Sequence, residues 1–218
     1  MNHHQRVGHY CEDQQSIDEC VAKVLSTENL VIQEFIDGED VGIEALFKNG
    51  KLVMYNAAEI MTYMYSRFSF TTKRNYYHND EIEAILTKLG ESIGLNGFAS
   101  IQFIYHPDRK KYYLVEVDCR INQWMPYSRF TTQNFSDGIK YILYGTKIEL
   151  QKEILGQKIE VSIFDREVRR CIKHKDYKGL LKWVINYHGC WKFIPFYDFK
   201  LLKRILIKQI NDLAHKVA

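Results

Sequence analysis

The chain has 218 residues, of which 46% are hydrophobic and 26% carry a charged side chain. This length and composition are typical of one large globular domain, or of a domain with an appendage, that buries a sizeable core. No apolar run approaches the roughly 20 residues of a membrane-spanning helix, and the first residues do not resemble a signal peptide. The five cysteines are scattered and never form a CxxC pair. We therefore expect a cytoplasmic protein with no disulfide framework, no cysteine zinc site and no membrane partner.

The net charge of +3 is distributed unevenly along the chain. Residues 166–218 contain thirteen Lys and Arg but four Asp and Glu, a net charge of +9, whereas residues 1–165 contain seventeen and twenty-three, a net charge of −6. This change predicts a domain in residues 1–150 and a basic, mostly helical C-terminal extension in residues 151–218. A basic extension can contact nucleic acid or acidic membrane, but a solvated helical surface explains the same composition and is favoured.

Hydrophobic periodicity predicts the elements of the first part of the chain. A helix begins at Ser16 as its N-cap, with Glu19 at the capping-box position. Two β-rich runs follow at residues 29–36 and 41–47, and the sequence KNGK predicts a hairpin turn into a further strand. Residues 62–77 are aromatic and polar without clean periodicity, so we expect an irregular loop there.

The following elements alternate between helix and hairpin. Residues 79–95 form an amphipathic helix capped by Asn79 or Asp80. The strands of a second hairpin lie on either side of the turn PDRKK, and another helix occupies residues 134–145. The sequence of the C-terminal extension predicts two or three further helices. This order predicts an α+β fold, with an antiparallel sheet and flanking helices.

The stretch LVEVDCRINQW, residues 114–124, carries charges at alternate positions of an apolar run. If the hairpin turns at residues 107–111, Gln102 lies opposite Glu116, and both share one face with Asp118. The other face is then a core surface, made of Ile101, Phe103, Tyr105, Tyr113, Val115 and Val117. Two carboxylates and an amide oxygen suit Mg²⁺. From spacing alone, an amphipathic hairpin with its acids in water is the favoured alternative. Alternation also turns Cys119 away from the carboxylates, toward the core.

The segments IQF and LVEVDCR, preceded by LVIQEFIDGED, resemble the C-terminal half of the ATP-grasp domain. The resemblance extends over residues 7–145 and is strongest to the carbamoyl-phosphate-synthase-like and D-aspartate-ligase-like carboxylate–amine ligases. It implies an ATP- and Mg²⁺-dependent ligase, with Mn²⁺ as a possible replacement. Such an enzyme joins a carboxylate substrate to an amine acceptor, or to a thiol, through an acyl phosphate.

The resemblance also implies roles for the charged residues of the hairpin. Glu116 would bridge the metal ions, and Gln102 would complete the coordination of one of them. Asp118 stands where the family usually has Asn, so its extra negative charge should be offset by a neighbouring cation. Arg120 would meet the transferred phosphate. The alternative for Arg120 is an ion pair to Asp118 or Asp137 without a role in chemistry.

The segment VIQEFIDGED resembles the part of the domain that binds the adenine and ribose. The residues that would do so are Gln33, Glu34, Phe35, Ile36 and Asp40, with Asp40 on the ribose hydroxyls. Arg67 and Lys73 lie in the segment where related enzymes place cations for the γ-phosphate and the acceptor. Surface charge is the favoured alternative for both cations.

The first residues, including RVGHY, resemble the end of a phosphate-covering loop, so we expect Met1 to fall inside the domain. A missing N-terminal lobe, or a homodimer partner in its place, would then complete the site, and the chain alone would have weak or absent ligase activity. His3, His4 and His9 are expected to be a terminal cluster without a metal role. Two alternatives stay open: a catalytically silent ATP-grasp relic that serves as an interaction module, and a nucleic-acid-binding protein that uses the basic tail.

Overall fold

A computed structural model describes residues 10–24, 31–67, 69–131, 133–145, 158–185 and 191–214. The chain divides into two compact units, with the boundary between Asp37 and Gly38. The predicted loop remnant RVGHY, except Tyr10, and the terminal histidines lie outside the described residues. None of the helices in the described parts is long and apolar enough to span a membrane.

In the described part of the second unit, six strands form an antiparallel sheet in the order β5-β4-β1-β2-β3-β6. The strands are β1 (Glu39–Lys48), β2 (Lys51–Tyr63), β3 (Thr71–Tyr77), β4 (Gly97–His106), β5 (Lys111–Asp118) and β6 (Ile159–Ser162). The α-helices in the described residues are α1 (Gln14–Val24), α2 (Asp80–Ile93), α3 (Phe135–Tyr144), α4 (Phe164–Lys173), α5 (Tyr177–Ile185) and α6 (Phe199–Ala214). Short 3₁₀ helices occupy Met125–Phe130 and Trp191–Phe193. The predicted α+β fold is confirmed.

The first unit contains α1 and the segment 31–37. Asp13, and not Ser16, caps α1, because the Asp13 carboxylate accepts a hydrogen bond from the Ser16 backbone N–H at 2.8 Å. The Ser16 hydroxyl in turn accepts from the Asp13 backbone N–H at 3.2 Å. The strand that the sequence predicts at residues 29–36 is not formed within the described part, residues 31–36. A β-rich run becomes a strand only when a neighbour supplies ladder hydrogen bonds, which the local pattern does not reveal.

One face of the sheet packs against α2 and forms the main core. Asn79 caps this helix as predicted, accepting from the Ile82 backbone N–H at 3.0 Å. Ile82 and Leu86 are fully buried in a cluster with alternate residues of the central strands, among them Ile43 and Ile101. The apolar stripe of α2 therefore faces the sheet, although Ile93 at its end is 57% exposed.

Residues 71–77, predicted to be an irregular loop, form strand β3. Thr72, Arg74 and Tyr76 are buried and alternate with partly exposed residues, which is the period of a strand. An arginine in a buried position disguises this period, because sequence patterns count arginine as a surface residue. The predicted loop is therefore confined to the shorter segment between β2 and β3.

The described part of the C-terminal segment contains the predicted helices and also a strand that the sequence did not predict. Strand β6 pairs with β3, with Val161 opposite Arg74. Val161 and Ile163 are buried in a cluster with Trp124. Part of the basic segment thus completes the sheet, while the boundary near residue 150 stays a prediction.

Candidate functional site

The face of the sheet opposite α2 carries a polar surface, which we call the polar face. It contains two rows of directly opposed residues across β1, β4 and β5, defined by backbone pairing. The first row is Gly42, Gln102 and Glu116, and the second is Glu44, Ser100 and Asp118. Opposed residues on antiparallel strands hold their Cβ atoms about 4.5–5.5 Å apart, so the side chains of each row are neighbours.

The predicted pairing of Gln102 with Glu116 is confirmed. A β-bulge lies just beyond it, between Gln102 and Phe103, so that Phe103 pairs with Leu114. The bulge changes the alternation toward the turn. Tyr112 packs against the core, whereas Val115, predicted to be a core residue, is 49% exposed.

The three predicted metal ligands differ in accessibility. Gln102 is partly exposed, Glu116 is exposed, and the Asp118 side chain is 26% exposed. One amide and two carboxylates supply hard oxygen donors, and water can reach them. This donor set fits Mg²⁺, which keeps several waters when it binds to a protein.

Arg120 lies beside Asp118 immediately after β5. Its Nε donates to the Asp118 carboxylate at 2.5 Å, and this hydrogen bond raises the pKa of the Arg120 guanidinium further. The ion pair to Asp118 that the sequence left open is therefore present. Cys119, predicted to face the core, is exposed, because β5 ends at Asp118 and strand alternation stops there.

Glu44, the β1 residue of the second row, forms a buried ion pair. The Glu44 carboxylate is 1% exposed and accepts from Arg74 Nη1 at 2.6 Å. It also accepts from the Tyr76 hydroxyl at 3.2 Å and from Asn122 Nδ2 at 3.0 Å. Burial and the Glu44 charge raise the pKa of Tyr76 well above its usual value. These donors satisfy a buried carboxylate that would otherwise cost folding free energy.

Asn122 attaches the segment after β5 to the sheet. Its Nδ2 also donates to the Ser100 hydroxyl at 2.8 Å, and its Oδ1 accepts from the backbone N–H groups of Trp124 and Met125 at 2.8 and 3.1 Å. The indole of Trp124 covers the Arg74 guanidinium, 4.5 Å from the ring centroid. The network therefore connects β1, β3 and β4 to the segment that carries Arg120.

Gly42 makes room for Arg74 in the first row. A Cβ atom at position 42 would lie 2.8 Å from Arg74 Nη1, closer than real Cβ atoms approach a neighbour. The guanidinium thus lies over Gly42, in the row that also contains Gln102 and Glu116. This arrangement adds a cation to the polar face.

The predicted nucleotide-binding residues fall in both units. Gln33, Glu34, Phe35 and Ile36 belong to the first unit, in the segment without assigned strand. Asp40 belongs to the second unit and is 8% exposed. Its carboxylate accepts from Arg67 Nε and Nη2 at 3.0 and 2.9 Å and from the Tyr63 hydroxyl. Burial and the hydrogen bond to Asp40 raise the pKa of Tyr63.

The two predicted loop cations each pair with carboxylates. Arg67 also donates to the Gly38 carbonyl at 2.6 Å, so it joins the segment before β3 to the start of β1. Lys73 Nζ lies 3.4 Å from Glu160 and 4.0 Å from Glu167. The sequence favoured surface charge as the explanation for Arg67 and Lys73, whereas the structure shows both of them in ion pairs. The role of these two cations in binding stays a prediction.

Sequence reasoning missed Glu44, Arg74 and Asn122. Strand alternation places Glu44 on the same side of β1 as Asp40, so a signal for Glu44 was present. Arg74 required the strand β3, and Asn122 required the path of the chain after β5, neither of which the local pattern gives.

Comparison with known proteins gives a family and a fold. The family model described as the ATP-grasp domain matches residues 4–123. No curated protein sequence matches the chain significantly. The solved structure of N5-carboxyaminoimidazole synthetase from Staphylococcus aureus complexed with ADP is similar at a TM-score of 0.52 and 14% identity, over 72% of this chain and 43% of that chain. A second solved structure of the same synthetase gives a TM-score of 0.51 and 12% identity, over 77% of this chain and 46% of that chain.

An L-amino acid ligase from Bacillus licheniformis also matches, at 18% identity over 70% of this chain and 41% of that chain, with a TM-score of 0.48. The chain therefore spans less than half the length of these solved structures. At such identities the two synthetase structures establish the fold, and the family match covers more than half of this chain.

Proposed function

Because the chain belongs to the ATP-grasp domain family, we propose that it provides the metal- and phosphate-binding part of an ATP-dependent ligase. The reaction class is carboxylate–amine ligation, or ligation to a thiol, through an acyl phosphate. A solved structure of similar fold is described as complexed with ADP, which is consistent with a nucleotide site.

The observation that carries the proposal is the register of the hairpin β4–β5. Gln102 and Glu116 are directly opposed, and Asp118 follows two residues later on the same strand. Because residues two apart on a strand share a face, this register gives the three side chains the same face of the hairpin, opposite the core residues Ile101 and Val117.

Gln102, Glu116 and Asp118 would hold Mg²⁺ in this proposal. The ion supplies charge neutralisation at the phosphates of ATP. Asp118 adds a negative charge that Asn would not, and Arg120 offsets it at 2.5 Å. The Arg120 side chain is 78% exposed, so its ion pair with Asp118 is worth little and can exchange for a phosphate.

Arg74 is a further cation of the proposed site. It is fixed between Glu44 and the Trp124 ring, so it holds its position when negative charge develops nearby. Electrostatic stabilisation is most effective when the charged group is positioned beforehand. Arg120 and Arg74 would therefore act differently: one adjusts to the phosphate, and the other is fixed.

Each unit supplies its own candidates for the nucleotide: backbone groups of residues 33–36 in the first unit, and Asp40 in the second. The Asp40 carboxylate can accept hydrogen bonds from the ribose hydroxyls only if Arg67 or Tyr63 gives up a hydrogen bond to it. Arg67 and Lys73 are the candidate cations for the γ-phosphate and the acceptor. The carboxylate substrate and the amine acceptor are the expected partners.

Calorimetric titration of the chain with Mg-ATP tests this function. We expect binding that weakens at least tenfold in the Glu116→Gln variant, because this substitution removes a charged metal ligand. The matched control is Glu91→Gln, which makes the same change at an exposed position of α2. The control should bind like the wild type.

Two results would contradict the proposal. Equal affinity in the wild type and in Glu116→Gln would place the nucleotide elsewhere. A folded chain that binds no Mg-ATP at millimolar concentration would favour the alternative of a catalytically silent interaction module.

A further inference from the structure

A second group of potential metal ligands lies at the junction of β3 and α2. His78 follows the last residue of β3, and Asp80 and Glu83 lie in the first turn of α2. His78 Nε2 is 2.8 Å from an Asp80 oxygen and 3.8 Å from a Glu83 oxygen. One ligand atom from each of the three residues lies within 4.8 Å of the other two.

The imidazole of His78 is fixed by a residue outside this group. The His78 side chain is 10% exposed, and its Nδ1 lies 3.0 Å from the hydroxyl oxygen of Tyr55, a core residue of β2. The Tyr55 hydroxyl donates its own proton to the Asn79 carbonyl at 2.9 Å. The hydroxyl oxygen can then accept from His78 Nδ1–H. Nε2, which is hydrogen-bonded to Asp80 at 2.8 Å without an ion, faces the two carboxylates and would exchange its proton for a metal ion.

This arrangement suits a metal-binding histidine. Such a histidine usually donates one ring N–H to a fixed oxygen, which sets the tautomer and orients the other nitrogen toward the ion. Four ligands at the usual 2.0–2.2 Å around a tetrahedral ion are about 3.4 Å apart, and the distances of 2.8 and 3.8 Å lie on either side of that value. The Asp80 and Glu83 side chains are 90% and 46% exposed, so they can adjust without disturbing the core.

The charges also favour a divalent cation. A neutral imidazole and two carboxylates together carry a charge of −2, which matches M²⁺. The N-terminus of α2 opposes a cation through its dipole, but the effect is smaller than that of two adjacent carboxylates. An imidazole with two carboxylates suits Zn²⁺ and similar transition ions, whereas Mg²⁺ prefers oxygen ligands alone.

We propose that His78, Asp80 and Glu83 form a Zn²⁺-type transition-metal site, separate from the polar face, with a fourth position open to water. The ion joins the end of β3 to the first turn of α2. The site is independent of the proposed ligase function, because it uses none of the hairpin residues.

Titration of the chelator-treated full chain with Zn²⁺, in excess Mg²⁺, tests the proposal. The comparison is between the wild type and the double variant Asp80→Asn and Glu83→Gln. Glu81→Gln is the matched control, since it removes an exposed carboxylate from the same helical turn. We expect the wild type and the control to bind one more equivalent than the double variant, with micromolar affinity. Tyr55→Phe should weaken that equivalent about tenfold, since it removes the orienting hydrogen bond.

Cysteine thiolates bind Zn²⁺ as well, so the proposal is judged by the difference in bound Zn²⁺ between the variants and not by the total number of ions bound. Co²⁺ as a second probe should give a visible spectrum for the extra equivalent without thiolate charge-transfer bands. Equal Zn²⁺ binding by the wild type and the double variant would overturn the proposal. It would equally be overturned if Glu81→Gln lost the same equivalent, which would indicate general charge attraction at the helix end.

Discussion

Glu44 is 1% exposed and lies in a row with Ser100 and Asp118. A carboxylate in this position is stable only because Arg74, Tyr76 and Asn122 all donate to it. The same contacts fix Arg74 over Gly42. At the scale of single residues, the geometry of the polar face thus depends on the charge of Glu44, the one acid in the apolar run of residues 41–47.

Replacing Arg74 with Met should lower the free energy of unfolding by about 3–5 kcal/mol, because it leaves Glu44 as a buried charge without its ion-pair partner. Chemical denaturation measures this loss. The double variant Glu44→Leu and Arg74→Met should be less destabilised than Arg74→Met alone, since it removes both charges. If the double variant loses the sum of two single-variant effects, the pair is not coupled as described.

At the scale of elements, the sequence predicts what is local and misses what depends on distant partners. The turn PDRKK and strand alternation were sufficient to place Gln102 opposite Glu116. The bulge near Phe103 changed the alternation closer to the turn, and no local signal marks it. Strand β3 was missed because its buried Arg74 needs Glu44, thirty positions earlier, to be acceptable in the interior.

Helix α4 is attached to β3 by a second buried carboxylate. Glu167 is 1% exposed and accepts from the Thr72 hydroxyl at 2.6 Å and from Arg170 Nη2 and Nε at 2.7 and 3.0 Å. Burial alone would raise the pKa of Glu167, but hydrogen bonds from Arg170 and Thr72 outweigh burial and hold the pKa below its ordinary value.

This lowered pKa predicts a pH-dependent contribution to stability. Because the folded state favours the charged form of Glu167, its stabilisation is present above the ordinary carboxyl pKa of 4.5 and is lost as the pH falls below it. The wild type should therefore be more stable than Glu167→Gln at pH 7, and the difference should shrink toward pH 3. Denaturation curves at several pH values measure it, and a difference that is constant with pH would contradict the assignment.

At the scale of the whole molecule, the basic C-terminal segment differs in composition from the rest of the chain, yet part of it belongs to the sheet. Charge composition predicted a boundary near residue 150. Beyond that point β6 adds to the edge of the sheet at β3, and Val161 is completely buried. The charge composition of the segment reflects mainly its residues outside the sheet. The four residues of β6 are too few to change that composition.

A chain that ends at residue 150 should therefore be less stable than the full chain. It lacks β6 and α4, so Thr72 loses its bond to Glu167, and Tyr76 and Trp124 lose the apolar cover of Val161. We expect its denaturation midpoint to fall clearly below that of the full chain. An unchanged midpoint would support residues 151–218 as an independent extension.

The most direct test of the central claim is paramagnetic line broadening by Mn²⁺ in the presence of ATP, followed on the backbone amide signals of the isotope-labelled chain. Mn²⁺ accepts the same oxygen ligands as Mg²⁺ and broadens signals of nearby nuclei. The account predicts loss of the signals around Gln102, Glu116 and Asp118 at low Mn²⁺ concentration, with those signals retained in Glu116→Gln. Broadening that leaves the β4–β5 hairpin unaffected would contradict a metal–nucleotide site on this face of the sheet.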